Sequence, residues 1–347
     1  MTTNGTSEYA EFQGFNPLGE LGTWRLRELG PRPNPDSLLR VDLVELADHR
    51  RAERKRLPVG VHGEADWALA EAQLDNEIRA LVRLATRYPN DYPAELPRLI
   101  AYNFDVSDPF VLMEVVTGDN GDEAHRMRTL LTQDRRRFQL GMYRALAALH
   151  AVDLVHGAIR LSSIRWADDR FQLVGFEHSS GRGEVPRSRP VTVGYRERQA
   201  DPADDVRDAG RAVHEMITGA RRRNRPPTQD GPLDDVLPGL DGVFEPDPAR
   251  RPTAVVVLAA LNSTAPLPDP LDVDEALRAG WDQFDREHPR PQPVPPPRAD
   301  PPTPPSAPPP PVARHGLRRR FLLPALIGAV VLGAAVVVGV LSWMEVL

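Results

Sequence analysis

Apolar and polar positions alternate along 23–30 (TWRLRELG) and again along 38–46 (LLRVDLVEL), the period of two expected of strands with one buried face. Between them GPRPNPDS is turn chemistry built on three prolines. The period changes over 66–86, where Trp67, Ala70, Leu74, Ile78, Leu81 and Ala85 recur at helical spacing. LPRLIAYNF and PFVLMEVV read as two buried strands that lead into a hinge at 115–118. A second helix is predicted over 134–150, with Phe138, Met142, Ala145, Leu146 and Leu149 on one face. The stretch 149–177 reads as a strand-loop-strand hairpin holding a functional centre, and DPADDVRDAGRAVHEMITGA as an N-capped apolar helix. Residues 1–20 show no periodicity and are expected to be a flexible tail without a secretory signal.

Beyond Thr264 the pattern changes. A helical extension is predicted over 265–288, with Ala276, Leu277, Trp281 and Phe284 as its apolar side. A proline-rich linker over 289–316 follows, an extended spacer with nothing to build a core from. The run 321–344 then holds 24 residues without a charge, longer than the roughly 20 a bilayer-spanning helix needs. Arg318, Arg319 and Arg320 directly before it keep the preceding chain cytoplasmic by the positive-inside rule. Small residues at four-residue spacing (Ala325, Ala329, Gly333) would let two such helices approach as a homodimer.

Composition narrows the chemistry. Of 347 residues 41% are apolar and 27% charged, which suits a globular body, and a net charge of −6 gives no reason to expect nucleic acid. The absence of cysteine removes disulfides, zinc thiolates and thiol nucleophiles. Nine histidines lack metal-ligand spacing, and neither a GxSxG elbow nor a Rossmann fingerprint occurs. Lys55 is the only lysine among 43 basic residues, so arginine runs reflect a compositional bias rather than a signal.

Three blocks in order carry a resemblance: LHAVDLVHGAIRLSSIRWADDRFQLVGFE, DDVRDAGRAVHEMITG and EPDPARRPTA. Over 21–264 the chain resembles eukaryotic-type serine/threonine protein kinases of the bacterial, actinobacterial kind. The resemblance implies an α+β, two-lobed protein-kinase-like fold, to which the apolar run would add a C-terminal single transmembrane helix. Lys55 would be the third-strand lysine paired with Glu77 on the following helix. Read without the resemblance, it is one member of a solvated basic run, and Glu77 an ordinary helix glutamate. Met113 and Glu114 would face the nucleotide pocket, with Glu53 in place of the small residue against the adenine. His156, Phe176, Asp205 and Arg251 fall on structural positions of that fold.

The family's phosphoryl-transfer groups are missing. The catalytic aspartate position holds Ala158, the asparagine position Ser163 and the metal-binding aspartate position Gly175. Gly157 replaces the arginine that receives an activation-segment phosphate. Nearby carboxylates are Glu177 and the Asp168 and Asp169 pair, the latter reading as a solvated hairpin tip. Of the glycine-rich loop only Gly30 remains, among prolines that have no amide to donate. The expectation is a membrane-anchored pseudokinase: a cytoplasmic scaffold or allosteric signalling module whose partner is an active kinase or membrane complex. No cofactor or metal is expected, and ATP binding is disfavoured. The alternative is an unconventional ATP-binding phosphotransferase using Lys55 and Glu77.

Overall fold

The computed structural model describes residues 9–32, 37–59, 63–104, 107–115, 118–122, 132–167, 170–188, 199–218 and 242–272. Six strands form the first layer: β1 (Ala10–Phe15), β2 (Leu21–Pro31), β3 (Arg40–Leu46), β4 (Arg51–Arg56), β5 (Arg98–Asn103) and β6 (Phe110–Glu114). They close in the order β1-β2-β3-β4-β6-β5, every pairing antiparallel. Closure rests on Phe15 facing Tyr102. Gly14 permits it, since a Cβ there would lie 2.8 Å from the Tyr102 carbonyl oxygen.

This corrects the expected two-lobed, kinase-like fold with a C-terminal single-pass transmembrane helix. The residues expected to be a loose tail supply β1, which pairs on both sides and converts a sheet with two free edges into a barrel with none. Among the described residues no helix is long and apolar enough to cross a membrane. The run 321–344, the proline-rich linker and the helix expected from Ala276 to Phe284 lie outside the described residues.

Four helices follow or interrupt the strands: α1 (Glu64–Arg87), α2 (Thr132–Ala151), α3 (Pro202–Thr218) and α4 (Ala254–Ala260). Helix α1 begins at Gly63 with Glu64 and Asp66 in its first turn, where the helix dipole favours acidic groups. Its buried face runs through Ala70, Leu74, Ile78, Leu81 and Leu84, while Trp67 stands partly in solvent and donates to Glu71. Thr253 caps α4 by accepting from the Val256 amide. The faces of α1, α2, α3 and α4 share one core with Phe138, Trp166, Phe171 and Phe176 at its centre. The barrel holds a separate small core of Leu26, Val44, Leu46, Ala52, Ala101, Phe110 and Leu112.

Short elements complete the frame. β7 (Asp119–Asn120), β9 (Ile164–Ala167) and β10 (Arg170–Leu173) make one sheet, β8 (Leu154–Val155) and β11 (Ser180–Gly181) another. A 3-10 turn at Leu161–Ser163 precedes β9, and a second at Phe176–His178 follows β10. That second turn packs along α1 and positions the site.

Candidate functional site

Strand alternation sorts the residues of β4 by face. Arg54 turns into the barrel and lies 4.7 Å from the centre of the Phe12 ring. Glu53 and Lys55 turn the other way, toward β9 and α1. All three are buried, which sets aside the solvated basic run as a reading of Lys55.

The Lys55 ammonium sits between two carboxylates, 2.7 Å from Glu177 Oε1 and 2.9 Å from Glu77 Oε1. Glu77 comes from the buried face of α1, and Glu177 from the turn after β10. Gly175 makes the second approach geometrically feasible: it adopts φ +87°, and a Cβ there would lie 3.2 Å from Glu177 Oε2. Gly175 is therefore the hinge that delivers Glu177. Asn76 donates to the Glu177 carbonyl oxygen at 3.0 Å, and the Ser179 hydroxyl bonds to the Asn76 carbonyl oxygen at 3.4 Å, so α1 holds the turn from both sides.

Three buried charges with a surplus of one negative cannot all be comfortable. Burial pulls the Lys55 ammonium down, but Glu177 and Glu77 outweigh it and keep it charged. Burial pushes Glu177 up, yet Lys55 overcomes this and holds it down at about 2. Glu77 is pushed up to about 7, chiefly by burial, against the pull of Lys55 and with repulsion from Glu177 added. Neither Glu77 oxygen receives an aligned hydrogen bond, which agrees with its being the surplus carboxylate. The arrangement is a charge-neutralised lock with one proton held near neutrality.

Residues on either side of 33–36 reach this region. On one side Arg32 pairs with Glu53 at 2.8 Å and donates to the Gly118 carbonyl oxygen. On the other the Ser37 hydroxyl donates to Glu177 Oε1 at 3.2 Å. Glu53 is also approached by Arg165 of β9 at 3.4 Å. Pro33 and Pro35 lie outside the described residues.

The remaining sequence candidates separate into two groups. His156 packs against Phe176 with ring centres 5.1 Å apart, and its Nε2 bonds to the Val174 carbonyl oxygen at 3.1 Å. Burial lowers its pKa despite nearby Asp205, so it stays neutral. Asp205 accepts from the amides of His156 and Gly157 at 2.7 and 2.9 Å, and Arg251 binds the Glu245, Pro246 and Ala203 carbonyl oxygens and the Asp204 carboxylate. These residues support the frame and do not meet Lys55. Met113 is buried opposite Glu53, while Glu114 is exposed beside Arg50. Ser163 spends its hydroxyl on Arg160, and Ala158 has no polar side-chain atom. Asp168 and Asp169 lie outside the described residues, among which no group of His, Asp and Glu could hold a metal ion.

The charged groups of this site are already engaged with one another. Two of the three Lys55 N–H donors meet carboxylates, Glu77 and Glu177. The Glu53 carboxylate is engaged by Arg32 and Arg165. The sequence flagged Glu53 as out of place, but Arg32, Ser37 and Arg165 carried no signal beyond the general excess of arginine and turn residues. No protein-family model and no curated protein matches the chain.

Proposed function

We propose that this chain is a non-catalytic binding module, a scaffold or allosteric partner in signalling, in which the site that would handle nucleotide has become a structural lock. The observation that carries this reading is the pairing of Lys55 with Glu177 as well as Glu77, at 2.7 and 2.9 Å. A lysine that serves phosphate is poorly served by a second buried carboxylate, itself held by Ser37, that neutralises it and repels anions. Its motif resemblance to serine/threonine kinases supports reading the site as one from which the phosphoryl-transfer groups are missing. The proposal includes attachment to the cytoplasmic face of a membrane through the apolar run 321–344, which rests on sequence.

The test is a thermal-shift titration of the full chain in detergent with ATP, with and without magnesium. Ligand binding to the native state alone must raise the melting point. No rise at millimolar ATP is the expected result, and a magnesium-dependent rise overturns the reading. The Lys55–Glu77 pair itself favours a second reading, an unconventional phosphotransferase. Magnesium-dependent incorporation of labelled phosphate that Lys55→Ala abolishes would establish it instead.

A further inference from the structure

A cleft of about 640 Å³ opens between the segment after α1, the end of the barrel, α2 and β10. It is remote from the Lys55 lock and shares none of its residues. Its floor is apolar, made by Leu96, Val115 and Phe171, while arginines stand on its separate walls: Arg98 on β5, Arg137 and Arg144 on α2, Arg170 on β10.

The two carboxylates in the cleft are already answered. Glu95 pairs with Arg144 at 2.6 Å, and Glu114 with Arg50 at 3.4 Å. Arg137 has Asp134 at 3.7 Å. Arg98 and Arg170 have no carboxylate partner among the described residues. Among the described residues this leaves a local positive excess over an apolar floor.

Arg98 is also held in place. Its guanidinium lies 5.2 Å from the centre of the Tyr92 ring, and the Tyr92 hydroxyl donates to the Pro97 carbonyl oxygen at 2.6 Å. Stacking on an anchored ring reduces the entropy lost when a guanidinium binds an anion. Guanidinium forks match carboxylates in bidentate fashion. Charges spread over different walls suit several anions along a chain better than one compact ion.

From this arrangement we propose that the cleft binds an acidic peptide segment of a partner protein, with carboxylates on Arg98 and Arg170 and an apolar side chain on the Leu96 and Phe171 floor. The proposal rests on the binding-module reading in supplying that module with a docking surface, and the two fail separately: loss of peptide binding leaves the nucleotide result untouched, and nucleotide binding leaves this cleft as it is.

The experiment is fluorescence anisotropy of the full chain in non-ionic detergent with a labelled short peptide of alternating Glu and Leu. Peptides of alternating Gln and Leu, and of Lys and Leu, serve as comparisons. Saturable binding of the Glu peptide is expected, weakened about tenfold or more by the double variant Arg98→Gln, Arg170→Gln, a loss of the size set by two charge-assisted contacts. Arg211→Gln, at an exposed position of α3, is expected to change nothing, and unchanged melting points establish that each variant is folded. Equal affinity in the double variant, equal binding of the Gln peptide, or full displacement by millimolar inorganic phosphate each overturns the proposal.

Discussion

Lys55 Nζ lies nearer to Glu177, a residue 122 positions away, than to Glu77 on the neighbouring helix: 2.7 against 2.9 Å. The closer contact joins β4 to the turn after β10, and the other joins β4 to α1. One ammonium therefore ties together three parts of the chain that share no local sequence.

Removing the ammonium should cost far more than removing either partner. Lys55→Met leaves two buried carboxylates facing each other and is expected to destabilise by about 3–5 kcal/mol. Glu177→Gln leaves an intact neutral pair with Glu77, and its cost should stay below about 2 kcal/mol. Urea unfolding of both variants checks the order, and a larger loss in Glu177→Gln would contradict it.

The two glutamates give stability opposite slopes with pH. Glu77 is raised from 4.5 to about 7, so between these values the folded state holds a proton that the unfolded chain has released. Stability must fall as pH rises through that window. Glu177 is lowered from 4.5 to about 2, and its contribution, complete above 4.5, must be lost as pH falls toward 2. Glu77→Gln should flatten the near-neutral slope and leave the acid slope in place, as followed by melting temperature against pH.

Removing the Arg32 contacts should loosen the ends of β2 and β3 without dissolving the lock. Arg32→Ala removes the link to Glu53 and the Gly118 carbonyl while Arg165 still answers Glu53. A loss of about 1 kcal/mol is expected. Hydrogen exchange should quicken in 37–46 and 118–122 and stay unchanged in α2.

Asp205 is expected to be costly to remove although it lies outside the lock. Asp205→Ala leaves the amides of His156 and Gly157 without their acceptor, a loss of about 3 kcal/mol for two bonds to a charged group. Chemical denaturation measures it, and because Asp205 does not contact Lys55, the pH slopes described above should survive.

The helices were legible because their periodicity is local: a helix expected over 66–86 occupies Glu64–Arg87, and one expected over 134–150 occupies Thr132–Ala151. The barrel was not. β1 has the sequence AEFQGF, half of it exposed, and its short alternation ends at Gly14 and Phe15, too brief to mark a strand as the longer run of β3 does. Six residue pairs with β2 make it a strand, but the pairing that closes the barrel is with Tyr102 far along the chain, which no window of neighbouring residues contains. At the site, motif resemblance brought Lys55 and Glu77 together on paper, and Glu177 was noticed only as a spare carboxylate. Arg165 escaped because it sits in the apolar run IRW, where a buried arginine is invisible until Glu53 is seen opposite it.

The burial of Lys55 reaches into the protein's covalent chemistry. It is the chain's only lysine and is 3% exposed. Lysine acetylation, lysine ubiquitination and lysine–lysine crosslinking all need a side-chain amine in solvent, and the folded chain offers none. Its surface is instead read and cut at arginine. An amine reagent that does modify Lys55 reports that β4, α1 and the turn at Phe176–His178 have come apart.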